Sequence, residues 1–301
     1  MNFQLGELKI MLRFYSLLLA MFICYAPLQA SWWNSITDYF KKPEVQVPAI
    51  KVLIKHDIPK AQVEVKGEYS LYDPYDQSNS NQSEEHISSR YAGKQRYMEA
   101  LSDGLKWGEV FPRRHQIRIK PDTTNTVILV DNLEYPGSLY VYDIGGTISI
   151  VNQVPIEDYV ESLLAAYQPL RLDTETLAAL AIVIRTNAYD QSLNPKNSKG
   201  LWAVDANQID YNGRSVYYNE IDKAVRDTKG MIMSRTGLYE GHPTPFTARF
   251  GDHLMGSDSK KGQTAAISIE EANRMAKSGE HAAQILAKAF PGTTIMMIPG
   301  S

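Results

Sequence analysis

Cysteine occurs once in 301 residues, as Cys24, inside an apolar N-terminal run. With that run removed no thiol remains, which excludes disulfides, thiolate metal sites and a cysteine nucleophile. The six histidines, His56, His86, His115, His242, His253 and His281, are scattered without HxxxH or HExxH spacing, so no metal or cofactor is expected. Basic charge is not in excess either. The chain has 31 Lys and Arg against 34 Asp and Glu, a net charge of −3. That balance provides no extended basic surface for a phosphate backbone, and nucleic acid is not an expected partner. The N-terminal apolar run is shorter than the ~20 residues a membrane-spanning helix needs, and Pro27 interrupts it.

What is present is 44% hydrophobic residues, enough for a real core in one large domain or two small ones. After Met11-Leu12-Arg13, "FYSLLLAMFICYAPLQA" supplies an apolar stretch of about a dozen residues ending at Ala30, the layout of a secretory signal peptide. Residues 1–30 are therefore expected to direct export, to the periplasm or cell envelope, with Met11 an alternative true start. Lipidation of Cys24 is the alternative to cleavage after Ala30, although Ile23 stands where a small residue is wanted. Residues 31–48, with Trp32, Trp33, Pro43 and Pro48, read as a linker.

From about residue 49 the pattern is that of a folded domain reaching residue 301. "IKVLIKH" and "AQVEVKGEYSLYD" alternate as half-buried strands do. A polar insertion over about 74–92 has no period and reads as a mobile loop. The strand pattern returns in "HQIRIKP", "NTVILVDN" and "SLYVYDIGGTISIVNQ", with Gly145-Gly146 as a hairpin signal. From Val154 helical periods take over. Leu177, Leu180, Ala181, Ile184 and Ala188 mark a buried helix capped by Asp173 or Thr174. Gly230 closes a shorter one, Ser268 and Glu271 are spaced as a capping box, and "TIMMI" is a final strand. The class is α+β, β-rich first and helical after.

The segment "YPGSLYVYDIGGTISIVNQVPIEDYVESLL" resembles the SpoIID/LytB family, the sporulation stage II protein D and amidase-enhancer proteins. Tyr135, Gly137, Asn152, Pro155, Glu157, Asp158 and Tyr159 stand at the family's "YxG", "vvN" and "vpLEDYv" positions. Ala179, Leu180 and Ile184 to Tyr189 are similar to its "AL.AQAvaaRTYAl". "KAVRDTKGMIM" and "ANRMAKSGEHAAQILAKAFPGTTI" are similar to two further family blocks, so the resemblance runs from about Ile50 to Met297. It implies peptidoglycan glycan strands as a partner, and a cleft between the helices of 155–168 and 174–190. It also implies one of two activities: lytic transglycosylase chemistry, in which one carboxylic acid serves first as acid and then as base, or stimulation of a partner cell-wall amidase.

The family's catalytic Glu lies in a "sEm" triplet before a proline. Counting on without gaps from Val160, that position is Tyr167, in "AYQP". A phenol with a free pKa near 10 is poorly suited to that proton transfer. The family's Ser-Ser-x-Gly-Gly stretch is represented by "TARFGDHLMG", retaining Gly251, and its "hGvGmSQyGA" loop by "KKGQTAAISIEEA", retaining Ser268 and Ala272. Asp158, Tyr159, Arg185, Tyr189 and Ser268 are the candidate cleft residues. Glu157 and Asp158 also read as stabilising a helix N-terminus. Glu161 stands about 240° around an ideal helix from Tyr167 and so points elsewhere unless the helix breaks first. Glu175, Asp205 and Asp252 are minor candidates for a relocated acid. Arg185, in an apolar helix, requires a buried partner, Asp158 or Glu157, or else lines a cleft. Trp107 and Trp202 are expected to pack in the core rather than to stack on sugars. Two readings stay open: a glycan-binding protein without the family's acid, and a lytic transglycosylase with a relocated one.

Overall fold

The computed structural model describes residues 48–74, 84–195, 200–214, 216–235, 243–250 and 263–298, leaving aside the side chains of 92–94. The expected signal peptide, nearly all of the linker, Cys24, Gly251 and Asp252 lie outside the described residues. The chain divides at Gln46/Val47, and everything below concerns the unit Val47–Ser301.

Among the described residues eleven strands form one sheet: β1 (Ala49–Ile58), β2 (Lys60–Asp73), β3 (Glu85–Leu101), β4 (Gly104–Trp107), β5 (Glu109–Pro112), β6 (Gln116–Pro121), β7 (Val127–Val130), β8 (Leu133–Tyr135), β9 (Ser138–Asp143), β10 (Ile148–Pro155) and β11 (Val204–Asp205). The order is β11-β1-β10-β9-β6-β2-β3-β4-β5, with β7 on β2 beyond the end of β6 and β8 on β7. Only β11 runs parallel to its neighbour, β1. The Gly145-Gly146 hairpin forms as expected. Both glycines have positive φ (73° and 93°), and β9 and β10 pair from Asp143↔Ile148 outward.

Residues 85–92 were expected within a loop and are instead the first half of β3. They pair with Glu68–Asp73 of β2 through Ser70↔Ser89, Leu71↔Ser88 and Asp73↔Glu85. This strand shows no apolar period because polar side chains hold it. Ser70 Oγ meets Ser89 Oγ at 2.9 Å, and Arg114 donates to both Glu85 and Asp73.

Strand β10 is buried on both faces, which explains why its alternation is faint. Ile148, Ile150 and Val154 join the main core, whereas Val151 belongs to a small second cluster with Leu53, Tyr140 and Tyr142, packed by Leu201 and Trp202. Trp107 is buried in the main core and donates from Nε1 to the Val63 carbonyl. Both tryptophans are thus packing residues.

The helices follow: α1 (Ile156–Leu164), a 3₁₀ segment (Ala165–Leu170), α2 (Thr174–Leu193), α3 (Asn219–Asp227), α4 (Ile269–Lys277) and α5 (Ala282–Ala289). Asp173 caps α2, accepting from Glu175 N at 3.0 Å. Every residue of α2 from Thr176 to Ala188 is buried, so it has no solvent face over that span. It packs against α1, α3, α4 and α5 and against β12 (Met231–Arg235) and β13 (Ala248–Arg249). Gly230, with φ 71°, turns the chain from α3 into β12. The final strands are β14 (Gln263–Thr264), paired with β13, and β15 (Thr293–Met297), antiparallel to β12.

Candidate functional site

The first turn of α1 carries adjacent acids that face opposite ways. Glu157 turns inward to Arg185, whose side chain is fully buried. The guanidinium donates from Nε and Nη2 to the Glu157 carboxylate at 3.0 and 2.7 Å, and its other contacts are the carbonyls of Met231 and Val225 and the Thr228 hydroxyl. Glu157 also accepts from Gly230 N at 3.2 Å. One ion pair therefore joins α1, α2, the C-terminal end of α3 and the start of β12. The bracing role expected for Arg185 is what its contacts describe, with Glu157 rather than Asp158 as partner. A charge buried this completely is tolerated because its donors are satisfied.

The space between α1 and α2, where a cleft was expected, holds packed side chains. Ile156, Tyr159, Val160, Leu163 and Leu164 are all buried in the main core. Tyr167 is there as well, 4% exposed, and burial pushes its phenol up to about 12. The other candidates do not converge on it. The Tyr159 ring is buried against that of Tyr211, 5.7 Å between centroids. Tyr189 packs partly buried against the core. Ser268 is the N-cap of α4, accepting from Glu271 N at 3.1 Å. Glu271 does not complete the box; its carboxylate pairs with Arg274 and Lys288. Glu175 accepts from Ala282 N, tying α2 to α5, and Asp205 caps a 3₁₀ turn through Asn207 N.

Several of the motif residues have a mechanical explanation. Buried Asn152, on β10, donates from Nδ2 to the carbonyls of Pro136 and Ser138, which holds the turn between β8 and β9. Its Oδ1 accepts from Tyr211 Oη at 2.7 Å. Gly137 (φ 82°) fits this turn because a Cβ would lie 2.2 Å from the Gln153 carbonyl oxygen. The segment after Tyr211 is fastened twice more: Arg214 N donates to the Glu134 carbonyl at 2.8 Å, and Ser162 Oγ donates to the Gly213 carbonyl at 2.6 Å.

The fastened segment leans on the outer face of α1, and the two enclose an open pocket of about 270 Å³ lined by Pro136, Asp158, Glu161, Arg214 and Tyr217. Asp158 and Glu161 are neighbours at i and i+3 on one helix face. Neither makes an ion pair or side-chain hydrogen bond among the described residues, whereas Arg214 Nε is held by Glu134 at 2.9 Å. Burial raises the Asp158 carboxyl above its ordinary value, Glu157 adds to this and Arg214 opposes it. Burial likewise raises Glu161, helped by Asp158 and Asp222 and opposed by Arg214. Tyr217 is 64% exposed, and its hydroxyl donates to Asp222.

The candidate residues thus fall into a buried brace and an open pocket. Of the candidate cleft residues Asp158 alone lines the pocket, beside Glu161, which the sequence placed on a face away from Tyr167. Arg214 and Tyr217 were missed as partners because 53 residues separate Glu161 from Arg214 (214 − 161). Among the described residues no group of three or more His, Cys, Asp or Glu side chains is placed to hold a metal ion.

Residues 145–234 match the family model described as SpoIID, Stage II sporulation protein. The matched segment runs from the β9–β10 hairpin to β12 and includes α1 and the Arg185 brace. An uncharacterized protein of Chlamydia pneumoniae is 29% identical over 69% of this chain and 77% of its own length. One from Chlamydia muridarum is 27% identical over 87% of this chain and 82% of its own. A third, from Brachyspira hyodysenteriae, is 28% identical over 53% of this chain and 42% of its own.

Proposed function

The chain belongs to the SpoIID family through residues 145–234, a cell-wall-related family, and from that premise we propose that it is an exported protein that binds peptidoglycan glycan strands and assists wall remodelling without the family's transglycosylase acid. The observation that carries this reading is Tyr167. It stands where the resemblance puts the catalytic Glu, it is buried in apolar surroundings, and its phenol is raised to about 12. Such a group neither protonates a glycosidic oxygen at neutral pH nor returns as base. The remaining role is to present strands to a hydrolase, a wall amidase being the partner the resemblance implies.

The test is incubation of the purified chain with glycan strands stripped of stem peptides, followed by mass spectrometry for anhydro-muramic ends, beside a sedimentation assay with intact sacculi. Co-sedimentation without anhydro ends is the expected result. Anhydro ends above a heat-killed control overturn the non-enzymatic reading, and failure to sediment with any sacculus preparation overturns strand binding.

The second reading, a relocated acid, has one observation in its favour: Asp158 and Glu161 lie together in an open pocket with raised carboxyl pKa values. Anhydro ends that vanish in the Glu161→Gln variant would establish it in place of the first.

A further inference from the structure

The large sheet has a second face, turned away from the main core, where Leu53, Tyr140, Tyr142 and Val151 form the small cluster. Side chains alternate along a strand, so Lys51 shares the face of Leu53, and Gln153 that of Val151. The two are also direct partners in the β1–β10 ladder. An ammonium and a carboxamide are thereby set side by side beside the Tyr140 ring.

Their bonding leaves donors over. Tyr140 Oη donates to Gln153 Oε1 at 3.1 Å, which occupies the oxygen of the amide and leaves its amino end. Lys51 Nζ lies 4.3 Å from the centre of the Tyr140 ring. Among the described residues neither the ammonium nor the Gln153 amino group meets an acceptor. The ring also carries a second cation, the Arg118 guanidinium at 5.3 Å, which comes from β6 on the other side of β9. Arg118 is paired with Glu84 at 2.7 Å, so Lys51 and Arg118 against Glu84 leave one positive charge (2 − 1). Burial holds the Lys51 amine below its ordinary value, Arg118 adds to this and Glu84 opposes it.

This surplus defines a ligand. One uncompensated positive charge is matched by one negative charge, and two neighbouring donors are matched by two acceptor oxygens on one head. A carboxylate has both. A phosphate dianion brings a charge too many and meets no guanidinium fork, because Arg118 Nη1 and Nη2 are engaged by Glu84 and Ser138. Beside the donors, Ala203 N is bonded to the Lys51 carbonyl, and the preceding Leu201 and Trp202 pack on the same small cluster. They offer an apolar surface next to the charged one.

We propose that Lys51 and Gln153 form a binding site for a small monocarboxylate with an apolar body, its head held by the ammonium and the amide beside Tyr140 and its body lying toward Leu201 and Trp202. The site is separate from the α1 pocket and does not depend on the strand-binding reading.

The experiment titrates the full chain at neutral pH with benzoate, with its uncharged counterpart benzamide and with inorganic phosphate, following the Gln153 side-chain amide by NMR. Benzoate is expected to shift that signal with a Kd on the order of 1 mM, and benzamide and phosphate are expected to bind about tenfold or more weakly. Lys51→Met is expected to weaken benzoate by about tenfold, whereas Lys51→Arg, which keeps the charge, retains most of the binding. Gln153→Glu sets a carboxylate of the chain's own opposite Lys51 and is expected to abolish benzoate binding. Benzamide binding as well as benzoate would reduce the site to an apolar contact, and phosphate binding as well would remove the monoanion; either result overturns the proposal. So does an unmoved Gln153 amide, or benzoate affinity unchanged by Lys51→Met or by Gln153→Glu.

Discussion

The two faces of α1 place neighbouring carboxylates in opposite chemical situations. Glu157 looks inward, where Arg185 and Gly230 N satisfy it. Asp158, one residue on, looks outward into a pocket where it makes no ion pair among the described residues, Arg214 being held by Glu134, and burial raises its carboxyl. The inner acid helps hold the fold, whereas the outer pair leaves acceptors for something else. Residue type and spacing alone did not separate these roles. The long-range partners did.

The sharpest way to break the comparison is at the inner face. Arg185→Leu leaves the half-buried Glu157 without its cation and the carbonyls of Met231 and Val225 without their donor, and is expected to cost about 3–5 kcal/mol in urea unfolding. Survival of the variant with wild-type stability would show that the brace carries no weight. Next is Tyr167→Glu, which puts a carboxyl into the apolar space that Tyr167 fills. A loss of about 2–4 kcal/mol at neutral pH is expected, with no transglycosylase activity gained. The buried carboxyl would titrate above the unfolded-state value, so the loss shrinks in acid and grows as pH rises through the raised value. Activity from this variant would mean that the inner face can still open as a cleft.

A smaller effect is expected at the seam between the faces. Gly213 has φ 78°, and a Cβ there would stand 2.2 Å from the Glu134 carbonyl oxygen. Gly213→Ala is therefore expected to cost about 1–3 kcal/mol, since Gly213 cannot then approach Glu134 without a shift of its segment. Thermal melting measures the loss, and an unchanged midpoint would show that the Gly213 turn tolerates a side chain. The smallest effect belongs to the outer face. The raised carboxyl of Asp158 means that ionising it costs the folded state stability. That cost is absent below the unfolded carboxylate range and complete above the raised folded value. Asp158→Asn should thus stabilise at neutral pH, by less than about 1 kcal/mol after solvent screening, with the gain gone in acid. A destabilised Asp158→Asn would mean that Asp158 has a structural partner after all.

Much of this arrangement is legible in local sequence. Gly145-Gly146, Gly230 and Asp173 each act within a few residues, and the structure shows the turn or cap that their chemistry implies. Arg185 was legible too, because a guanidinium in an apolar helix demands an acid. The polar half of β3 was not, since Ser70–Ser89 and Arg114–Glu85 hold it by contacts distant in sequence. The pocket was half legible. The helix does break first, α1 giving way to a 3₁₀ segment at Ala165, so the ideal-helix angle does not apply, yet Glu161 still faces the pocket while Tyr167 is buried in the core. What lay beyond reach was that Gly213 and Arg214 would be fastened opposite it, by bonds to Ser162 and Glu134 that no local pattern announces.

Helix α2 carries a consequence for the order of events as the polypeptide is made. Thirteen consecutive residues, Thr176 to Ala188, are buried, and part of their cover comes from α4 and α5. The strand that completes the β12 ribbon is β15, ending at Met297. An emerging chain thus holds this buried helix without its full cover until α4, α5 and β15 have been made, so its core closes late.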